Sequence, residues 1–171
     1  AQTGEIAASM LKGIASGTLI GHSERRNILH EDESTISEKI KRAINANLHI
    51  ILCVGGKSKE LLSQKKEVKE QLSSALSNFN QENLDLLTIA YEPVFAIGSG
   101  EVPTDEFLTA QLEDIRRELS TLSKDVLVLY GGSVDATNAK QIMSLGFNGL
   151  LVGSASLKAP LLEAIGINML S

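Results

Sequence analysis

Glu92 stands where an apolar run, Leu86 to Ala90, gives way to Pro93 and the small, glycine-rich stretch Val94 to Gly100. A carboxylate there can act as a general base if it is shielded from water and held beside a carbon acid. The residues behind it have the make-up of a closing lid, because small residues absorb hinge motion and an apolar cover excludes water. That lid comprises Pro93, Val94, Phe95, Ala96, Ile97, Gly98, Ser99 and Gly100. The matching partner is His22, at the end of the apolar run GTLIGH (17–22), and the two make the best acid/base pair in the chain. Two further stretches, YGGSV (130–134) and LVGSASLK (151–158), set small residues between an apolar run and a helix. Small side chains let backbone N–H groups approach a phosphate, and a helix N-terminus adds a favourable dipole. Ser133 and Ser154 have no evident histidine partner, which argues against a serine hydrolase. Cys53 lies inside an apolar run, where burial suits it better than nucleophilic chemistry. His30 and His49 sit apart from these ends and read as structural or surface groups.

For these groups to meet, the elements that carry them must end on one face. Short apolar runs at 17–22, 48–56, 85–93, 125–133 and 149–154, rich in Leu, Ile or Val and bounded by Gly or Pro, predict strands buried on both faces. Helix-period stretches lie between them. Ile36, Ile40, Ala43 and Ile44 share one face, with Thr35 and Glu38 as a capping box. Leu61, Val68, Leu72, Ala75, Leu76 and Phe79 mark the next helix. Leu108, Leu112, Ile115, Leu119 and Leu122 mark another, capped by Thr104 with Asp105 and Glu106 in its first turn. Ala139, Ile142 and Met143 give a shorter one ended by Gly146. Leu161, Leu162 and Ile165 suggest a last helix, and Glu5 to Ile14 one ahead of the first strand. The alternation predicts one α/β domain over residues 1–171, with parallel strands and right-handed crossovers. A doubly wound open sheet and part of a (β/α)₈ barrel both fit. In either, the carboxyl ends of the strands form the active face, and His22, Ser23, Gly55, Gly56, Glu92, Gly131 to Ser133, Gly153 and Ser154 all fall there.

Composition narrows the classes. A length of 171 residues suffices for a real core, and 43% hydrophobic with 22% charged residues is ordinary for a globular protein. A net charge of −5 without a basic cluster argues against nucleic acid as a partner. The densest basic stretch, Lys57 to Lys69, is interleaved with Glu60 and Glu67 and reads as a solvated helix face. A single cysteine excludes an intrachain disulfide and suits a reducing compartment. No stretch approaches the ~18 apolar residues of a membrane span. No signal peptide is visible, so the cytoplasm is the expected location.

Six motifs now stand in order: TGE (3–5), IGHSERR (20–26), CVGG (53–56), AYEPVFAIGSG (90–100), YGGSV (130–134) and GLLVGSASLK (149–158). Together they resemble the triosephosphate isomerase family and decide for the barrel. The resemblance implies a homodimer without cofactor or metal. It implies interconversion of dihydroxyacetone phosphate and D-glyceraldehyde 3-phosphate through an enediol(ate), in glycolysis and gluconeogenesis. It makes Glu92 the base that moves the proton and His22 the electrophile, a neutral histidine at a helix N-terminus as described for this family. It makes the amides of Gly98, Ser133, Gly153 and Ser154 the phosphate cradle. Glu24 and Arg26, with Ser23, resemble the family's buried supporting residues behind the site.

The chain also departs from the family pattern. It begins near the tip of the third strand-to-helix loop, so about five strands are expected, without the family's Asn-x-Lys motif. Phe95 stands where the family usually has Trp, and Gly56 where it usually has Glu. In the family that indole can hydrogen-bond to that carboxylate when the lid closes, and losing both partners together strands neither. Pro103 restricts Val102 at the end of the lid, and Ser154 replaces a common glycine. The alternative function is a partial barrel without isomerase activity that binds phosphate or pairs with another chain.

Overall fold

The computed structural model of the chain describes residues 3–98 and 101–170. Strands β1 (Gly17–Ile20), β2 (His49–Val54), β3 (Leu87–Tyr91), β4 (Leu127–Tyr130) and β5 (Gly149–Leu150) form one sheet in that order, every pair parallel. Consecutive order leaves no switch point of the kind a doubly wound sheet needs. The sheet is therefore an arc of a (β/α)₈ barrel, as the motifs implied. Helices α1 (Ser23–Asn27), α2 (Glu33–Asn45), α3 (Leu61–Leu76), α4 (Asp105–Leu119), α5 (Ala139–Ser144) and α6 (Ala159–Leu170) lie between and after the strands. No helix among the described residues is long and apolar enough to cross a membrane.

Register decides which side chains share the site. Ala90 pairs with Cys53 and with Leu129, and Thr88 with Ile51 and Leu127. With a side-chain period of two, Glu92 falls on the same face as Cys53, Ala90 and Leu129. The other face carries Ile50, Leu52, Ile89, Tyr91, Val128 and Tyr130, buried in one core with Ile36, Ile40, Leu72, Leu108 and Ile115 of the helices. All five residues of β3 are buried, so the middle of the sheet is covered on both sides. Towards the flanks the Glu92 face opens, with Leu19 47% and Leu127 53% exposed. Pairing also runs past the strand ends. The N–H groups of Glu92, Val94, Gly131 and Leu151 donate to the carbonyls of Val54, Gly56, Tyr91 and Tyr130 at 2.8, 3.0, 2.8 and 2.8 Å. These bonds fix the bases of the loops that carry the chemistry.

Thr104 caps α4 as expected, its Oγ1 accepting from the Phe107 N–H, and Gly146 closes α5 in the left-handed region at φ 102°. Three expectations are corrected. The cap of α2 is Asp32, not Thr35: Asp32 Oδ1 accepts the Thr35 N–H at 2.8 Å. Aspartate is as good a cap as threonine and stands one turn earlier, so the helix starts there. The helix expected over Glu5 to Ile14 is a single 3₁₀ turn, Ala8–Leu11. Ile6, Met10 and Ile14 are 67, 62 and 83% exposed, so no buried apolar face supports a longer helix. The last strand is only Gly149–Leu150, because the glycine-rich turn at Gly153 follows closely.

Candidate active site

Glu92 is 2% exposed and uses both carboxylate oxygens. Oε1 lies 3.1 Å from His22 Nε2, and Oε2 accepts the N–H of Ser23, the first residue of α1, at 3.0 Å. Burial pushes the Glu92 carboxyl above its ordinary value; the opposing pull of His22, the Ser23 N–H and the Cys53 thiol is smaller. A carboxyl held high in this way is better matched to taking and returning a proton near neutral pH than a solvated one.

His22 is the N-cap of α1. Its Nδ1 accepts the Glu24 N–H at 3.3 Å, so that nitrogen carries no proton and the tautomer with Nε2–H fits both contacts. Nε2–H is a donor available at the strand ends beside the carboxylate. Cys53 is buried, and burial together with the Glu92 charge pushes its thiol far above the ordinary value, which leaves it inert as a nucleophile.

Glycines let these groups approach. A side-chain carbon on Gly131 would sit 3.1 Å from Glu92 Cγ, and one on Gly55 only 1.8 Å from the Glu92 carbonyl oxygen. Either would push the carboxylate off His22.

Three of the expected anion donors, Ser133, Gly153 and Ser154, follow the ends of β4 and β5 along the chain, and the fourth, Gly98, is in the lid segment. The N–H groups of Gly132, Ser133, Gly153 and Ser154 take no partner among the described residues. Ser133 Oγ donates to the Ala96 carbonyl at 2.6 Å, tying the lid segment to the end of β4. Within the lid, Val94–Ala96 form a 3₁₀ turn, Ala96 is buried, and Gly98 adopts φ 67°. Phe95 packs edge-on against Phe107 with ring centroids 5.8 Å apart. Ser99 and Gly100 lie outside the described residues. Behind the site, Arg26 is partly buried and donates from Nε to the Gly21 carbonyl at 2.7 Å. Glu24, on α1, is exposed in this chain.

A sequence profile described as triosephosphate isomerase matches residues 1–168 of the chain. The chain belongs to the triosephosphate isomerase family. It is 39% identical to the triosephosphate isomerase of Alkaliphilus oremlandii, in a match covering 98% of this chain and 70% of the relative. It is 41% identical to those of Lawsonia intracellularis and Flavobacterium psychrophilum, over 92 and 93% of this chain and 66 and 67% of theirs. The chain thus spans about two thirds of the length of these curated relatives. Triosephosphate isomerases are isomerases that interconvert dihydroxyacetone phosphate and glyceraldehyde 3-phosphate.

Two residues that matter here escaped the sequence reading. Gln64 and Gln71 are buried on α3 and hydrogen-bond to the Gly55–Gly56 backbone. Their signal was visible: two amides seven residues apart, on the helix face that also carries Val68 and Leu72, following a Gly-Gly pair.

Proposed function

We propose that this chain carries the proton-transfer machinery of its family's reaction, with Glu92 as base and His22 as electrophile. The contact between His22 Nε2 and Glu92 Oε1, 3.1 Å at a buried strand end, supports the reading most directly. Glu92 takes the proton from C1 of dihydroxyacetone phosphate while His22 Nε2–H hydrogen-bonds to the C2 carbonyl oxygen. The electron pair of the broken C–H bond moves into a C1–C2 double bond and gives the enediol(ate). O2 gains a proton, O1 loses its own to become the aldehyde oxygen, and return of the carbon-bound proton to C2 gives glyceraldehyde 3-phosphate. For this the His22 Nε2–H must leave Glu92 Oε1 for the C2 carbonyl oxygen, which frees that carboxylate oxygen to face C1.

The N–H groups of Gly98, Ser133, Gly153 and Ser154 hold the substrate phosphate. No Lys or Arg occurs in GSG, GGSV or VGSAS, so main-chain donors serve there. The lid segment, of which Pro93 to Gly98 are described, keeps water from the enediol(ate). Homodimer assembly and a cytoplasmic location belong to the same reading.

The test is the full-length enzyme turning over substrate in deuterated water. Deuterium enters the product at the carbon that exchanges with the base. Glu92→Gln abolishes this incorporation along with turnover. Persistent incorporation in that variant would assign the base to another residue.

A further inference from the structure

The strand end that carries Glu92 is held from behind by two buried side-chain amides. Gln64 and Gln71 are 0 and 5% exposed. Gln71 pairs reciprocally with Gly55: its Oε1 accepts the Gly55 N–H at 2.8 Å and its Nε2 donates to the Gly55 carbonyl at 3.0 Å. Gln64 does the same with Gly56, at 3.0 and 2.6 Å, and its Nε2 also donates to the Ser58 carbonyl at 2.7 Å. Each amide satisfies both backbone groups of one glycine, as a neighbouring strand would.

What these glycines hold is the reacting segment. The Gly56 carbonyl, already bonded to Gln64, accepts the Val94 N–H at 3.0 Å, and Val54, just before Gly55, accepts the Glu92 N–H at 2.8 Å. Gly55 approaches the Glu92 carbonyl too closely for any side chain. A bonded path therefore runs from two amides on α3, through Gly55–Gly56, to the backbone on either side of Pro93. The amides lie seven residues apart, which puts them two turns apart on one face of α3. Two turns span about 10.5 Å, more than the about 3.8 Å between adjacent Cα atoms, so the two long side chains converge on the glycine pair.

We propose that Gln64 and Gln71 are positioning residues for Glu92 and for the first lid residue, Val94. This rests on the reading of Glu92 as the base. Leucine at either position removes the clamp while keeping an apolar fill, and leaves Gly55 or Gly56 free to shift. A displacement of about 1 Å at the reacting group costs about 10²-fold in rate. Three of the phosphate amides, those of Ser133, Gly153 and Ser154, lie beyond the ends of β4 and β5 and off this path; the fourth, Gly98, is four residues past Val94 in the lid segment.

The experiment is a double-mutant cycle in the full-length enzyme. Gln64→Leu and Gln71→Leu are expected to lower kcat by about 10²-fold with KM within about threefold, and inhibition by inorganic phosphate unchanged. In a Glu92→Gln background the same changes are expected to have little further effect on kcat, because the group they position is gone. Wild-type kcat in folded leucine variants overturns the proposal, as does an equal loss with and without Glu92. If Glu92→Gln itself retains turnover, the base assignment fails, a result distinct from failure of the clamp. Should a leucine variant not fold, Gln64→Glu and Gln71→Glu carry the test. They are nearly isosteric, keep the acceptor and lose the donor, and are expected to cost about tenfold in kcat. Wild-type kcat in both overturns the proposal.

Discussion

Shortening one side chain by a methylene tests the catalytic geometry most sharply. Glu92→Asp keeps the charge and the acid/base chemistry but withdraws the carboxylate by about one C–C bond, about 1.5 Å. From 3.1 and 3.0 Å, its contacts with His22 Nε2 and Ser23 N–H stretch beyond hydrogen-bonding range. The same retreat applies to the substrate carbon. If about 1 Å of misplacement costs about 10²-fold, 1.5 Å costs about 10²- to 10³-fold in kcat, or about 3–4 kcal/mol of barrier. Glu92→Gln keeps the length and loses the base, and falls at least as far. In both variants KM stays within about fivefold, because the interaction lost is made in the transition state rather than with the bound phosphate. The assay is turnover of glyceraldehyde 3-phosphate by the full-length enzyme, its product drawn off by a linked dehydrogenase, across a range of pH. The wild-type rate should fall on acidification as the raised Glu92 carboxyl takes up its proton. A loss of tenfold or less in Glu92→Asp would refute the reasoning, since a carboxylate that tolerates such withdrawal is not the group in contact with the carbon.

The remaining predictions concern stability, phosphate binding and assembly. Since Glu92 is raised above its ordinary 4.5, its ionisation costs the folded state nothing below that pH and progressively more as pH rises through the native value. Glu92→Gln should therefore be stabilising at neutral pH and neutral near pH 4, read by urea unfolding; the opposite trend would mean that the contacts to His22 and Ser23 outweigh burial. Gln111 is fully buried and both its side-chain polar atoms lack a partner among the described residues, beneath a cavity of about 290 Å³ between α3 and α4. Gln111→Leu should raise stability by about 1–3 kcal/mol with turnover unchanged, and destabilisation would show that the amide has a partner such as water. Ser154→Pro deletes one free N–H at the end of β5 and should raise KM and weaken inhibition by phosphate several-fold while kcat changes less; unchanged KM would remove that amide from the cradle. Expressed by itself, the 171-residue polypeptide should self-associate and show no turnover, because β1 and β5 have open edges and Leu19 and Leu127 are exposed. A monodisperse, active monomer would refute this.

Strand number was legible because each strand is an apolar run closed by glycine or proline, and that signal is local; the strand order came from the six family motifs, since the alternation alone fits a doubly wound sheet as well. Thr104 and Gly146 were legible for the same reason: a cap is a matter of a few neighbouring residues. Asp32 displaced Thr35 because two good caps compete within one turn, and only the helix as a whole selects between them. The pairing of His22 with Glu92 was anticipated from strand-end chemistry, although the two are 70 positions apart in the sequence, because parallel β/α order brings every carboxyl end to one face. The Gln64 and Gln71 clamp was missed because a glutamine on a helix is ordinarily solvated. Only the packing of α3 shows that these two point inward at Gly55 and Gly56.

The departures at Gly56 and Phe95 become coherent once the neighbours of α3 are considered. A side-chain carbon on Gly56 would meet Glu67 Oε2 at 2.2 Å and Gln64 Oε1 at 3.4 Å. The space that a larger residue would need is thus occupied by a carboxylate sent from α3, pushed above its ordinary value by burial despite the opposing charges of Arg26 and Lys57. A glutamate at 56 would set a second carboxylate against the first, at a cost in like-charge repulsion. With no acceptor projecting from 56, an indole at 95 would have no partner there, and phenylalanine leaves no donor unsatisfied. Its ring is held instead by the edge-on contact with Phe107 and by Lys59 Nζ, 6.0 Å from the ring centre. Glycine at 56 also lets Gln64 reach both backbone groups of that residue, so the change that removes a hydrogen bond across the lid is the one that admits the clamp behind Glu92.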